Sequence, residues 1–149
     1  MTFTHLFEPA RIGDMTIRNR IVMLPMTTGY GEPDETVGRR FIRFFADRAR
    51  GGAGLIIIPF SPVRAGSPEE PGLFHDRFVP FLRPLTSRLR DEGAKSAAQL
   101  ITSYHIAFGD GGPEVVGPSP VMNQMMRVTP RVLTVDEIRF VVAEYGKAA

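Results

Sequence analysis

Two hydroxyl side chains that follow a short apolar run are the first residues able to do chemistry. Residues 21–24 form the run, Pro25 ends it, and Thr27 and Thr28 come soon after. An apolar run this short, closed by proline and a nearby glycine, indicates a buried strand rather than a helix. α/β proteins build ligand sites from small hydrogen-bonding residues at strand ends. The pattern therefore predicts a site that binds a ligand through hydrogen bonds.

A glutamine occupies a similar place in a later run. Gln99 lies near the end of residues 94–101, which are small or apolar and are predicted to form a strand. An amide buried without a partner is costly. Gln99 is therefore expected to have a polar partner, in a ligand or within the protein.

Cysteine chemistry is excluded, and the histidines show no metal-binding pattern. Without cysteine there is no disulfide framework, thiolate nucleophile or Cys-ligated zinc or iron–sulfur cluster. The three histidines, His5, His75 and His105, form neither an i, i+4 pair nor an HExxH motif. No metal site is expected.

Composition indicates one globular domain. The chain has 149 residues, of which 43% are hydrophobic and 23% charged. The N-terminus lacks a secretory signal, and no apolar run approaches the roughly 18–20 residues of a membrane span. A cytoplasmic protein without a membrane partner is expected. The net charge is +2, and the densest basic group is spread along a predicted helix, so it is interpreted as a solvated face rather than a nucleic-acid site. This group consists of Arg39, Arg40, Arg43, Arg48 and Arg50.

Hydrophobic periodicity predicts the elements that position these residues. Proline at 80 and 84 indicates a short first turn or a kink in the second helix. Thr134 and Glu137 form a capping box that starts the last helix, with Ile138, Val141, Val142 and Tyr145 on its buried side. The full prediction is a hairpin around Gly13 and Asp14, buried strands at 21–26, 54–60 and 94–101, helices at 35–50, 76–92 and from Thr134 onward, and a long loop at 102–133.

Long loops follow the predicted strands, and short returns follow the helices. This is the pattern of a (β/α) barrel, in which function lies on the long-loop end. Such a barrel has eight strands, whereas three are predicted here. Three parallel strands leave two open edges, which invite self-association. The sequence is therefore expected to be the front part of a larger barrel.

Motifs spread over nearly the whole chain closely resemble one family in the family's own order. The motifs are Leu-Phe-Glu-Pro at 6–9 with Ile12 and Gly13, Ile-Arg-Asn-Arg-Ile-Val-Met at 17–23 with Pro25 and Met26, Gly-Leu-Ile-Ile at 54–57, Gly-Ala-Lys at 93–95, Gln-Leu at 99–100, Pro-Ser-Pro at 118–120, and Thr-Pro-Arg-Val-Leu-Thr at 129–134 with Glu137 and Ile138. The resemblance is to the Old Yellow Enzymes, the FMN-dependent ene-reductases and NADH:flavin oxidoreductases that include the 2,4-dienoyl-CoA reductases.

The resemblance implies an FMN-containing TIM barrel, an α/β fold, that starts with a hairpin lid. It implies that hydride passes from NAD(P)H to FMN and then to an activated alkene. Backbone groups of Pro25 and Met26 are implied to contact the flavin. Thr27 is implied to hydrogen-bond near its reactive edge, where donors stabilise the reduced ring. Ser61 and Gln99 complete this side, with the Gln99 amide at the pyrimidine edge.

Other positions extend or depart from the family pattern. Phe60 stands where the family prefers a small residue and is expected to crowd the ring. Tyr104 and His105, in a loop over the implied active face, are candidates for substrate contact, the alternative being ordinary surface residues. Thr102 stands where the family commonly has a histidine, and the usual Gly-Arg does not follow it.

Several family features come after the position that matches Ala149. They are the paired histidines or His/Asn that bind substrate, a tyrosine proton donor, an arginine at the flavin and the phosphate-binding loops. Residues 1–149 are therefore expected to be the N-terminal part of an FMN-binding TIM-barrel oxidoreductase domain.

The alternative is a truncated, non-catalytic fragment or a structural module without flavin that self-associates through its open edges. Pro25 and Met26 would then simply end a strand and fill core, and Thr27 would be an ordinary strand-end hydroxyl. A phosphate-loop nucleotide-binding module is disfavoured, because no GxxxxGK[ST] motif occurs.

Overall fold

The structure, a computed structural model, describes residues 3–66, 70–102, 105–124 and 127–149. Within these ranges eight short strands form three sheets, and three α-helices and one 3₁₀ turn connect or follow them. The strands are β1 (Ala10–Ile12), β2 (Met15–Ile17), β3 (Val22–Met23), β4 (Leu55–Phe60), β5 (Lys95–Leu100), β6 (His105–Ala107), β7 (Pro113–Gly117) and β8 (Arg131–Val132). The helices are α1 (Arg39–Arg50), α2 (Val79–Asp91) and α3 (Val135–Ala148), with the 3₁₀ turn at Asp76–Phe78.

The predicted N-terminal hairpin is confirmed. Strands β1 and β2 pair antiparallel, with Ala10 opposite Ile17 and Ile12 opposite Met15. Gly13 takes a φ of 56° in the turn between them. Glycine adopts this left-handed conformation without the penalty that a Cβ brings, which is why a two-residue turn forms here.

The main sheet is parallel and has the order β3-β4-β5. Strand β4 is central, and its side chains are buried except for the half-buried Ile57. Helices α1 and α2 cover one face of the sheet, where Phe41 and Phe45 from α1 and Leu85 and Leu89 from α2 form the core with β4. This confirms two-sided burial for the strand predicted at 54–60.

Phe60 belongs to this core and does not lie on the opposite face of the sheet. Alternate residues of a strand share a face, so Phe60 lies on the same side of β4 as Ile56 and Ile58, and all three belong to the cluster that α1 and α2 cover. Phe60 is 5% exposed, and its ring centroid lies 6.5 Å from that of Phe41. The expectation that Phe60 crowds a flavin ring is therefore wrong, because the helices occupy its side of the sheet.

The two flanking strands are not buried on both faces as predicted. Val22 in β3 is 38% exposed, and Leu24, just after it, is 68% exposed. In β5 the side chains of Ser96, Ala98 and Gln99 are exposed. The physical reason is that β3 and β5 are edge strands of a three-stranded sheet, and the described residues cover one of its faces only in part.

The first two helices begin later than the sequence pattern predicts. Glu35 has a φ of 66°, outside the right-handed helical region, and α1 starts only after Gly38. In the second region a 3₁₀ turn precedes α2, and Pro80 then occupies the first helical turn. The short first turn predicted from Pro80 is confirmed. Pro84 is accommodated within α2.

Residues 102–133, predicted to be a loop, contain a small second sheet of order β6-β7-β8. Its strands have two to five residues, too short for a clear period in the sequence. The capping box that starts α3 is confirmed, with Thr134 and Glu137 bonded reciprocally. The predicted buried side of α3 is wrong for two of its four residues, since Ile138 is 43% and Val142 66% exposed. Val141 packs against the small cluster around Val63, Ile106 and Val116, which is too small to cover the helix.

Candidate functional site

Most of the residues predicted to bind a ligand lie at the carboxyl end of the main sheet, called here the carboxyl edge. Strands β3, β4 and β5 run parallel, so their carboxyl ends meet there. Pro25, Met26 and Thr27 follow β3, Ser61 follows β4, and Gln99 is the penultimate residue of β5, paired in register with Pro59. The structure thus brings five of the seven candidate residues to the same end of the sheet.

The segment that follows β3 presents both apolar and polar groups at this edge. Pro25 is half-buried, whereas the Met26 side chain is 57% exposed. Thr27 is exposed at the residue level, and its hydroxyl donates a 2.5 Å hydrogen bond to Oε1 of Glu70. An exposed apolar side chain beside a fixed hydroxyl suits a flat ring that has a polar rim.

Glu70, the partner of Thr27, was not singled out from the sequence. It is 4% exposed, and among the described residues no group donates to its other carboxylate oxygen, Oε2. Buried carboxylates are normally fully hydrogen-bonded, so an oxygen left over at a candidate site requires an explanation. The sequence held no signal for this residue, because an acidic residue in a Pro/Gly-rich loop is ordinarily solvated.

A second buried glutamate, Glu35, joins the loops that follow β3 and β4. Its Oε1 accepts hydrogen bonds from the backbone amides of Ala65 and Gly66, at 2.8 and 2.7 Å. Its own carbonyl accepts a 2.8 Å bond from the amide of Gly72. The loop that carries Glu70 is therefore tied on both sides to the loop that precedes α1. Glu35, which sequence reasoning placed inside a helix, is a structural residue of this edge.

Ser61 is fully buried and is used to shape the loop after β4. Its hydroxyl donates a 2.6 Å hydrogen bond to the carbonyl of Val63. Its backbone amide donates to the carbonyl of Pro71, and its own carbonyl accepts from the amide of Leu73. These bonds place Pro71, and with it Glu70, beside the end of β4. Contact between Ser61 and a flavin stays a prediction.

The Gln99 amide is exposed on β5, which leaves its donor and acceptor groups accessible to a ligand. His105 is half-buried in β6 of the second sheet, opposite Val115. Tyr104 lies outside the described residues. The structure therefore places His105 in a different sheet from the other candidates.

Thr102, which stands at the family's histidine position, contacts helix α3. Its hydroxyl donates a 2.8 Å hydrogen bond to the phenolic oxygen of Tyr145 in α3. Both side chains line a mainly apolar pocket of about 580 Å³ between the second sheet and α3.

The basic residues of α1 lie along the outer helical surface. Asp47 accepts ion pairs from Arg43 at 3.6 Å and from Arg50 at 3.2 Å, all partly or largely exposed. Among the residues that the structure describes, no helix is long and apolar enough to cross a membrane. In the same part of the chain, no three His, Cys, Asp or Glu side chains are grouped so that they could hold a metal ion.

Comparison with known proteins assigns the family. Residues 5–149 match the NADH:flavin oxidoreductase / NADH oxidase family. The chain belongs to this family. This confirms the resemblance noted from the motifs. A flavin is therefore the ligand that the residues at the carboxyl edge are compared with below.

Relatives and solved structures agree with the assignment. A metal reductase of Desulforamulus reducens is 42% identical over 147 residues, which cover 97% of this chain and 22% of that protein. An NADPH dehydrogenase of Listeria welshimeri is 34% identical over 148 residues, which cover 97% of this chain and 43% of that protein. The old yellow enzyme homologue from Zymomonas mobilis superposes with a TM-score of 0.75 at 28% identity, covering 97% of this chain and 44% of that one.

This member of the NADH:flavin oxidoreductase / NADH oxidase family thus spans less than half the length of these relatives. Its α/β fold matches part of their TIM barrel, and its described strands do not close into a barrel. The donor set at the sheet edge fits the ring of a flavin. The side chains of Met26 and Thr27 are exposed after β3, and that of Gln99 is exposed near the end of β5. Apolar and hydrogen-bonding side chains at one end of a sheet suit a flat ring with hydrogen-bonding groups on its rim.

Proposed function

We propose that residues 1–149 are the N-terminal part of an FMN-binding TIM-barrel oxidoreductase domain. The complete domain would pass hydride from NAD(P)H to FMN and then to an activated alkene. The observation that carries the proposal is the family match over residues 5–149 combined with polar side chains at the carboxyl edge of the β3-β4-β5 sheet. Function in such barrels lies at that edge.

Each residue of the edge has a defined part in this proposal. The backbone of Pro25 and Met26 would contact the ring, and the exposed Met26 side chain would shield it from water. The Thr27 hydroxyl would hydrogen-bond near the reactive edge, and the Gln99 amide would bind the pyrimidine edge, where a donor and an acceptor are both needed. Ser61 supports this side of the ring from the end of β4. When bound, FMN supplies the hydride-carrying chemistry, and the chain supplies orientation and electrostatics.

The substrate side of the proposal involves a small molecule, with NAD(P)H as reductant. His105 in β6 and Tyr104 beside it are the candidates for substrate contact. His105 lies in a strand connected to the loop after β4, since the amide of Ala107 donates a 2.8 Å bond to the carbonyl of Arg64. This connection gives the second sheet a fixed relation to the loop that bears Glu70.

The test is the visible absorption spectrum of the purified chain after it is mixed with excess FMN and desalted. We expect a protein-shifted flavin spectrum, because the residues proposed to contact the ring all lie within residues 1–149, with retention through the ring alone, since the family's phosphate-binding loops come later. The Gln99→Leu variant should bind FMN several-fold more weakly, because the pyrimidine edge then loses its partner. Gln124→Leu is the matched control, since Gln124 is an exposed glutamine outside the edge. A colourless wild-type protein would contradict the proposal that this chain builds a flavin site.

A second candidate function is a structural module that self-associates without flavin. It is favoured by the open sheet face, where Leu24 is 68% and Met26 57% exposed, because exposed apolar side chains at strand edges promote association. Size-exclusion chromatography with circular dichroism tests this. A folded oligomer that dissociates in the Leu24→Lys variant and binds no FMN would support the second function over the first.

A further inference from the structure

We propose that the groove between α1 and α2 is a docking site for an acidic, amphipathic helix of a partner protein. The groove is open to solvent and has a volume of about 870 Å³. Among the described residues its lining comes from α1 and α2 alone, away from the carboxyl edge, so the inference does not depend on the flavin. Five arginines line it: Arg39, Arg40, Arg43 and Arg50 from α1, and Arg88 from α2.

The tertiary structure adds two features to the basic face of α1 that the sequence showed. It brings Arg88 from a second helix to the same groove, and it places apolar residues between the charged ones. Ile42 and Ala46 of α1 and Pro84 of α2 also line the groove, and Ala46 is 3% exposed. Charged walls around an apolar floor are suited to an amphipathic helix, which lays apolar side chains into a groove and pairs its charges at the sides.

The spacing along α1 sets the length of the partner. Arg39, Arg43, Ala46 and Arg50 follow one another at i, i+4, i+7 and i+11, which is a single stripe of the helix. From Arg39 to Arg50 the helix rises about 16 Å. Two helices packed side by side leave a groove that accepts the side-chain ridge of a third helix. The stripe therefore fits a helix of about three turns with carboxylates at the same spacing.

The arginines of the groove outnumber the carboxylates beside them. Asp47 pairs with Arg43 at 3.6 Å and with Arg50 at 3.2 Å. Glu92, just after α2, pairs with Arg88 at 2.9 Å and with Arg50 at 3.5 Å. Two carboxylates thus serve three guanidinium groups. The groove carries a positive charge that is not neutralised within the described part of the chain, and an acidic partner complements it.

The remaining two arginines differ in what they contact. The guanidinium of Arg40 lies over the ring of Tyr30, 3.8 Å from its centroid. Arg39 is exposed and has no carboxylate partner among the described residues. Since ion pairs between exposed side chains contribute little to stability, a carboxylate from a partner can take the place of Asp47 beside Arg43. A guanidinium binds a carboxylate through two parallel hydrogen bonds, which makes arginine suited to this exchange.

Other occupants fit this groove less well. A second copy of the chain that met it through a two-fold axis would place the same arginines against each other, and like charges across an interface are repulsive. A phosphate ion or a nucleic-acid backbone would have no apolar group to place on Ile42, Ala46 and Pro84. A helix with both acidic and apolar side chains matches the walls and the floor.

The experiment titrates the 149-residue chain into a fluorescein-labelled synthetic peptide and follows its fluorescence anisotropy. The peptide has about 16 residues, about 24 Å as a helix, with glutamates at i, i+4, i+7 and i+11 beside a stripe of alanine and leucine. We expect the wild-type chain to bind it, and Arg43→Gln and Arg88→Gln each to bind it roughly fivefold more weakly, the equivalent of one charge-assisted hydrogen bond. Both arginines are exposed, so the variants should fold normally, as circular dichroism will verify.

Arg83→Gln is the matched control, since Arg83 is exposed on α2 but does not line the groove. It removes the same charge from the same helix and should change the affinity by less than about twofold. A second readout locates the peptide. In NMR spectra the amide signals of α1 and of Arg88 should shift on addition of peptide, whereas those of Thr27 and Gln99 at the carboxyl edge should not.

Each outcome decides the question. Tighter binding of this peptide than of a scrambled peptide of the same composition, with losses in Arg43→Gln and Arg88→Gln alone, supports the inference. Equal binding of the scrambled peptide, or its displacement by inorganic tripolyphosphate at equal concentration, would show unspecific attraction of anions and overturn it. A wild-type oligomer that dissociates in Arg43→Glu would assign the groove to a second copy of the chain and overturn it as well. A wild-type chain that does not bind the peptide would also overturn it.

Discussion

The Glu35 carboxylate accepts a 2.7 Å hydrogen bond from the backbone amide of Gly66, which lies 31 positions further along the chain. The same oxygen accepts from Ala65, so one buried side chain satisfies two amides of the loop after β4. Removing it would leave both amides unpaired. The Glu35→Ala variant is therefore expected to lose about 2–4 kcal/mol of unfolding free energy, as measured by urea denaturation.

The matched variant is Glu35→Gln, which retains an acceptor oxygen at the same place and should keep most of the stability. Since Glu35 also orders the loop that carries Glu70, the Ala variant should bind FMN more weakly than the Gln variant. Equal stability of Glu35→Ala and wild type would show that the loops are held by other contacts.

Arg18 joins the carboxyl ends of α1 and α2. Its guanidinium donates to the carbonyls of Glu92, Ala49 and Ala53 at 2.8, 2.5 and 3.0 Å. A cation at helix C-termini satisfies carbonyls that have no partner within the helix. Arg18→Met, which retains the apolar stem, should therefore lower the unfolding free energy by about 2–4 kcal/mol.

Arg20→Met is the control for Arg18, because Arg20 is exposed and makes a loose 3.9 Å ion pair with Glu8. It should change stability by less than about 0.5 kcal/mol. If the two variants unfold at the same urea concentration, the Arg18 bonds contribute nothing measurable.

Two glycines should respond in opposite ways to the same substitution. A Cβ at Gly54 would lie 2.5 Å from Oδ1 and 2.8 Å from the carbonyl oxygen of Asn19, so Gly54→Ala forces the backbone apart. At Gly146 in α3 a Cβ meets nothing within 4 Å, and alanine is favoured over glycine in a helix by about 0.5–1 kcal/mol. Thermal unfolding should show a lower Tm for Gly54→Ala and a higher Tm for Gly146→Ala. A Tm that moves in the same direction in both variants would mean that the space around Gly54 or Gly146 differs from the packing described above.

Phe60 offers a direct check on which face of the sheet it occupies. Because its side chain is 5% exposed in the core beneath α1 and α2, Phe60→Ala should cost about 3–5 kcal/mol of stability. Phe81, 44% exposed on α2, is the control and should cost much less. A stable Phe60→Ala variant with tighter FMN binding would instead mean that Phe60 crowds the ring.

The start of α3 should respond to acid. The hydrogen bond from the Arg131 side chain, followed by that from the Thr134 amide, lowers the pKa of Glu137 from 4.5 to about 2. A carboxyl whose pKa is lowered in the folded state stabilises the fold above its unfolded value and loses that contribution as the pH falls. The contribution from Glu137 should therefore disappear between about pH 4.5 and about pH 2.

NMR titration of the Thr134 amide, which donates to Glu137 at 2.7 Å, measures this directly. The midpoint should lie near pH 2, and the titration should vanish in Glu137→Gln. A midpoint near 4.5, the ordinary value, would mean that the bonds to Arg131 and Thr134 do not persist in solution.

Elements defined by neighbours in sequence were predictable. The Gly13 turn, the α3 capping box and the central strand β4 each follow from residues a few positions apart, and the structure has all of them. The first helix was predicted to start at Glu35 but starts at Arg39, because the hydrophobic period continues through Glu35, whose backbone is left-handed. Strands β6 and β8, with three and two residues, were missed because so few residues show no period.

By itself the sequence determined the family, the α/β character of the chain and the segments from which a ligand site would come, since these depend on local pattern and on ordered motifs. Only the tertiary structure decided that Phe60 faces the helices, that Glu35 ties two loops together and that the Thr27 hydroxyl is hydrogen-bonded to Glu70. The physical reason is that each of these depends on contacts between distant positions. Thr27 and Glu70 lie 43 residues apart, and a contact between such distant positions exists only once the chain has folded.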